Sequence, residues 1–225
     1  MPPKVPLEEP DDRLQGRVRV EVLGVGHRRG PLAAWVFTGG LPGCPSVGRP
    51  ADRRPGDRAP AFRLPSAAGG TVGLDELLAD GPAVLTFYRG AWCPYCNLAL
   101  RALRQSHADI AARGARLVAV SPQVPDESLS LSERHALAFD VLSDVGSGTA
   151  RRYGLAFDLP EDLAAAYDRL GFDLQRVNGG HPRTLPMPAT YVVDRAGTIR
   201  RAFVDTDYTA RAEPSDILAA LDALA

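Results

Sequence analysis

FYRGAWCPYCNLAL, residues 87–100, sets two cysteines three positions apart where an apolar run gives way to a turn and then to a helical pattern. The run itself, AVLTFY (83–88), is short and rich in β-branched and aromatic residues, which predicts a buried strand. Pro94 suits the first position of a helix, where its missing N–H costs nothing, so Cys93 becomes the N-cap and Cys96 the third helical residue. The first amides of a helix are unpaired and carry partial positive charge. A thiolate in that turn is therefore stabilised, and its pKa falls by roughly one to several units. Cys96, Leu100, Leu103 and Ile110 follow helical spacing and are expected to face the sheet. That turns Cys96 inward and leaves Cys93 nearer solvent. His107 shares this face about three turns from the sulfurs, a separation at which a packing role is expected.

Downstream of the pair, Gly114 is a plausible stop for a helix running to about Arg113, and ARLVAVSP (115–122) predicts a second buried strand. SLSLSERHALAF (128–139) reads as a helix leading into FDVLSD, and PEDLAAAYDRLG (160–171) as another, opened by proline and acids and closed by glycine. TYVVDRAGTIRRAFVD (190–205) predicts a hairpin turning at Ala196 and Gly197, and EPSDILAALDALA a terminal helix. Strands separated by helices indicate an α/β sheet with helices on both faces.

Upstream, residues 40–65 are dense in proline and glycine, which disfavours helix and interior strand and marks a boundary. Residues 1–53 form an extension and linker, and 54–225 the main domain. Within the extension, VRVEVLG (18–24) and AAWVFTG (33–39) have strand character.

A net charge of −1 provides no overall attraction to nucleic acid or anionic lipid. No window approaches the roughly 20 apolar residues of a membrane span, and the N-terminus lacks the apolar core of a secretory signal, so a cytoplasmic location is expected. Cys44, Cys93 and Cys96 are too few for a disulfide framework, and a close pair in a reducing compartment points to redox or metal chemistry. Zinc would need a second C-x-x-C or an H-x-x-x-H element, which the chain lacks. LGVGHRRG places its third glycine one residue late for dinucleotide binding, and no phosphate-binding G-x-x-x-x-G-K-[ST] loop occurs. The expectation is therefore no cofactor and no metal, with electrons arriving from another dithiol.

RAPAFRLPSAAGGTVGLDELLADGPAVLTFYRGAWCPYCNLALRAL resembles the opening of a peroxiredoxin-like protein of the alkyl hydroperoxide reductase and thiol-specific antioxidant family, and VAVSPQ and LPMPATYVVDRAGTI continue the likeness over about residues 58–222. The resemblance implies a thioredoxin-like fold with a central mixed β-sheet, and reduction of hydrogen peroxide or organic hydroperoxides. Laying the family's P-x-x-x-T-x-x-C over this chain puts Arg89 at the proline, Cys93 at the threonine and Cys96 at the peroxide-attacking cysteine. The family's arginine ahead of the last sheet hairpin falls at Pro188, and Arg89 is a candidate substitute. WCPYC also matches the thioredoxin W-C-x-x-C motif. In that register Cys93 attacks, Pro188 matches the cis-proline facing the motif, and Phe87 stands where thioredoxins bury an aspartate.

These observations predict a thiol peroxidase cycling through a sulfenic acid and a Cys93–Cys96 disulfide, restored by a thioredoxin-like dithiol. Its N-cap position favours Cys93 as the attacking thiolate, with Cys96 resolving and Arg89, Trp92 and Pro188 in support. Cys44 is expected to be a bystander. A thioredoxin-like protein disulfide oxidoreductase and a non-catalytic metal-binding or interaction module stay open as alternatives.

Overall fold

A computed structural model describes residues 52–128, 136–205 and 207–224. The strands expected at 18–24 and 33–39, Cys44 and most of the helix expected at 128–139 lie outside the described residues.

The apolar run forms strand β3 (Ala83–Phe87), buried along its whole length. It pairs in parallel with β4 (Arg116–Ser121), which pairs in parallel with β5 (Asp140–Ser143). On the other side β3 pairs antiparallel with β8 (Ala189–Val193), and β8 with β9 (Ile199–Val204). The result is a five-stranded mixed sheet in the order β5-β4-β3-β8-β9. Two short hairpins lie outside it, β1 (Arg63–Pro65) with β2 (Thr71–Gly73), and β6 (Ala156–Asp158) with β7 (Thr184–Pro186). The strand β1 falls in the proline-rich stretch that predicts no interior strand, and it pairs only with β2 in a separate two-stranded sheet.

Alternation along β3 sends its side chains to two cores. Val84 joins Leu117, Ala119 and Val192 beneath α2 (Pro94–Gln105), α3 (His107–Ala112) and α7 (Pro214–Asp222), which contribute Leu100 and Leu103, Ile110, and Ile217 and Leu221. Leu85 and Phe87 join Val118, Val120 and Tyr191 beneath α1 (Leu74–Asp80) and α4 (Gly148–Arg152). Helices therefore cover both faces, the thioredoxin-like arrangement that the sequence implies. A third, smaller cluster gathers residues of α5 (Glu161–Arg169) and α6 (Leu174–Val177) around Leu185, with Trp92 packed against it.

The helix expected to run unbroken to about Arg113 divides at Ser106, which ends α2 and opens α3 in a non-helical conformation. Serine is a weaker helix former than the residues that precede it, and Ile110 still reaches the core beyond the break, as the spacing predicts. Among the described residues no helix is long and apolar enough to cross a membrane.

Phe87 carries much of the second core, with its ring 5.0 Å from that of Tyr153 and 6.2 Å from that of Tyr191. Phe87→Ala should lower the unfolding free energy by about 3–5 kcal/mol in urea titrations. A loss under about 1 kcal/mol would contradict the packing described.

Candidate active site

β3 ends at Phe87 and α2 begins at Pro94, and residues 88–93 between them carry the motif across the end of the sheet. The loop is fixed by its backbone. Tyr88 donates its N–H to the Val120 carbonyl at 2.9 Å, and Cys93 donates to the Gly90 carbonyl at 3.1 Å. Gly90 has φ +144°, and a side chain there would meet Trp92 Nε1 at 2.6 Å, so the turn requires glycine. Ala91 donates to Gln123 Oε1 at 2.6 Å, while its carbonyl accepts from Asn97 Nδ2 at 2.9 Å. Cys93 is the N-cap with Pro94 in the first turn, and its carbonyl accepts the Asn97 N–H at 3.1 Å.

Both cysteines are free thiols and both are buried, Cys93 at 3% exposure and Cys96 at 0%. The inward Cys96 agrees with the helical spacing. Cys93 is the nearer of the two to solvent, as the spacing predicts, but only slightly, because it packs in one cluster with Tyr88 and Cys96, with Trp92 against that cluster. An N-cap position does not reveal what distant elements lie over it.

Donors converge on the Cys96 sulfur. The Arg211 guanidinium reaches it through Nη2 at 3.8 Å, and the neighbouring Cys93 thiol and Arg89 backbone N–H add to the stabilisation of its charge. Burial alone would raise the pKa of Cys96, but these donors outweigh it and bring the value down to about 6. Cys93, which interacts with Cys96 and is itself buried, is held well above the usual thiol range. The surroundings thus lower the pKa of Cys96 and raise that of Cys93.

The supporting residues divide. Arg89 serves Cys96 through its backbone, while its guanidinium lies over the Tyr208 ring at 4.6 Å and the Phe157 ring at 5.6 Å. Trp92 packs against Tyr167 and Phe172, at 5.4 and 5.2 Å between centroids, which fastens the α5 segment to the loop. Pro188 is buried and borders the cavity beside Cys96, but its peptide bond is trans, not the cis bond that the thioredoxin resemblance implies. It leads directly into β8, whose first residue, Ala189, already pairs with Phe87. His107 packs near the Phe139 ring at 5.9 Å, away from the sulfurs. Among the described residues no group of three or more His, Cys, Asp or Glu is arranged to hold a metal ion.

A cavity of about 240 Å³ lies against Cys96, bordered by Phe87, Leu100, Pro188, Phe203 and Arg211. Its wall mixes apolar and polar groups, Thr86, Thr190 and Asp205 among them, with the Arg211 guanidinium next to the sulfur.

Arg211 was not singled out by the sequence, since it sits in a polar stretch with no motif of its own. The strand order does place it. Phe87 pairs with Ala189, which pairs with Val204, so the chain leaving β9 emerges at the same sheet end as the cysteine loop.

A dithiol at the head of a helix beyond a thioredoxin-like sheet defines a thiol-redox architecture. The family model described as the AhpC/TSA family matches residues 55–202, and the chain belongs to that family. The chloroplastic peroxiredoxin Q of Gentiana triflora is 28% identical over 132 residues, covering 59% of this chain and 50% of that protein. The chloroplastic peroxiredoxin Q of Populus jackii is 27% identical over 119 residues, covering 53% and 46%. The chain thus spans about half the length of these curated relatives. Among solved structures, peroxidoxin BcpB from Mycobacterium tuberculosis aligns with a TM-score of 0.62 at 23% identity, covering 76% of this chain and 98% of that one. A peroxiredoxin Q from Xanthomonas campestris aligns at 0.58 and 17%, covering 79% and 99%. At these identities the structures establish the shared fold.

In a Cys44→Ser background, absorbance at 240 nm should rise with pH in two separate steps. The first, near pH 6, is the Cys96 thiolate, and the second lies above the ordinary thiol range. Two thiols titrating together near pH 8.5 would contradict the asymmetry.

Proposed function

We propose that the protein is a thiol-dependent peroxidase in which Cys96 attacks the peroxide and Cys93 resolves the product. The observation that carries this reading is the convergence of the Cys93 thiol, the Arg89 N–H and the Arg211 guanidinium on one sulfur beside a cavity. The attacking role assigned to Cys93 from its N-cap position therefore passes to Cys96, the position that the peroxiredoxin pattern gives it.

The Cys96 thiolate attacks one peroxide oxygen, an S–O bond forms and the O–O bond breaks. The sulfur is oxidised by two electrons to a sulfenic acid, and the leaving oxygen departs as water or an alcohol after taking a proton from solvent. Cys93, deprotonated, then attacks the sulfenic sulfur, forming the disulfide and releasing hydroxide that is protonated to water. An external dithiol of the thioredoxin type restores both thiols by exchange, supplying two electrons and two protons. A yeast mitochondrial 1-Cys peroxiredoxin of similar fold has its thiol resolved via glutathione/thioredoxin systems. A reducing cytoplasm would supply such a dithiol.

Cys96 is buried and lines the cavity, which is the route by which peroxide would approach its sulfur. A volume of about 240 Å³ leaves room for a small alkyl hydroperoxide as well as hydrogen peroxide. The disulfide-oxidoreductase alternative loses support, because the proline facing the motif is trans and Phe87 leaves no carboxylate to take a proton.

Reduced Cys93→Ser and Cys96→Ser proteins, each in the Cys44→Ser background and given one equivalent of hydrogen peroxide with a sulfenic-acid trap, test the assignment. Mass spectrometry should find the adduct on Cys96 in the first and none on Cys93 in the second. An adduct on Cys93 would return the attacking role to the N-cap. Reaction no faster than that of a free thiol in both variants alike would refute the peroxidase.

A further inference from the structure

The family pattern sets its arginine immediately ahead of β8, where this chain has Pro188, buried and uncharged. The cation at the sulfur comes instead from residue 211, in the connection between β9 and α7. Its guanidinium is held from behind: Nη1 donates to the carbonyls of Tyr208 and Ala210, the latter at 2.6 Å, which leaves Nη2 directed to Cys96. The turn that presents it is stapled by Asp207, whose carboxylate accepts from the Thr209 N–H at 2.9 Å and hydroxyl at 2.7 Å.

Tyr208 joins this turn to the cysteine loop. Its ring lies under the Arg89 guanidinium at 4.6 Å and meets the ring of Tyr95 edge-on, at 5.6 Å and 87°. Arg89 and Tyr95 both belong to the stretch that holds the cysteines. A cation over an aromatic face and an edge-to-face ring pair are both attractive, and together they hold a short segment in one place.

We propose that Arg211 replaces, from the β9–α7 connection, the arginine that the family pattern sets ahead of β8, and that Tyr208, clasped by Arg89 and Tyr95, is the residue that positions it. This rests on Cys96 as the attacking sulfur. Arg211 stabilises the thiolate and lies where a peroxide oxygen would meet a donor, so it touches the reacting atoms. Tyr208 does not touch the Cys96 sulfur and is a positioning residue, its carbonyl held by Arg211 and its ring by Arg89. The titratable and charged groups around Cys96 are Cys93, Tyr88, Arg211 and Arg89, whose charge acts on Cys93, with Asp205 on the cavity wall. Arg211 is the cation whose guanidinium hydrogen-bonds the Cys96 sulfur.

The test is the Cys96 titration, followed at 240 nm and by the pH dependence of iodoacetamide alkylation, in Arg211→Gln, Tyr208→Ala, Tyr208→Phe and the Arg211→Gln/Tyr208→Ala double variant, all with Cys44→Ser. Arg211→Gln should raise the thiolate pKa by about one unit or more, the effect of losing an adjacent opposite charge, and lower the thiolate population at acidic pH about tenfold. Tyr208→Ala should shift it the same way by less, and Tyr208→Phe, which keeps the ring, should restore the wild-type curve. The double variant should titrate as Arg211→Gln alone. An unchanged curve in Arg211→Gln, with circular dichroism showing an intact fold, would overturn the proposal, as would a Tyr208→Ala effect that adds in full to that of Arg211→Gln. The titration involves no peroxide. A low thiolate pKa that depends on Arg211 in a protein inert to peroxide would refute the peroxidase reading and leave the role of Arg211 in stabilising the thiolate standing.

Discussion

The site depends on keeping a charged sulfur stable in a place from which water is excluded. An isolated thiolate with no exposed surface would be strongly disfavoured, and here hydrogen bonding and one nearby cation reverse the sign. Each donor comes from a different structural source. Cys93 is supplied by the helix cap, Arg89 by the backbone of the loop after β3, and Arg211 by the connection after β9. The sheet register brings these together, because Phe87, Ala189 and Val204 lie in one row and their strands discharge toward the same end.

The same geometry separates the two registers in which the motif can be read. A thioredoxin-type reaction has an exposed first cysteine, a cis-proline across from it and a buried carboxylate to take a proton. In this chain the first cysteine is buried, Pro188 is trans and Phe87 occupies the carboxylate's place among Tyr153 and Tyr191. Cys93 stands where the peroxiredoxin pattern has threonine, so in the proposed cycle the neighbour of the attacking sulfur is also the resolving thiol.

Much of this was legible in the sequence. The apolar run at 83–88, the proline after Cys93 and the helical spacing of Leu100 and Leu103 sufficed to place a strand, a loop and a helix around the pair, and to turn Cys96 inward. The hairpin after residue 189 and the final helix were legible for the same reason, each being a local pattern with its own turn or cap. What was not legible was non-local. The burial of Cys93, the capture of the Arg89 guanidinium by Tyr208 and the arrival of Arg211, 115 positions from Cys96, depend on elements that meet only once the sheet is ordered. Elements of three to five residues, such as α4 and the β6–β7 pair, carry too few positions for a period to show.

The most direct test of the account is the second-order rate of hydrogen peroxide consumption by the reduced Cys44→Ser protein, followed by stopped flow from about pH 5 to about pH 9. If Cys96 is the attacking thiolate in the setting described, the rate rises through pH 6, levels off below neutrality and far exceeds that of a free thiol. A rate that climbs steadily through about pH 8.5, as an unassisted cysteine would give, contradicts it.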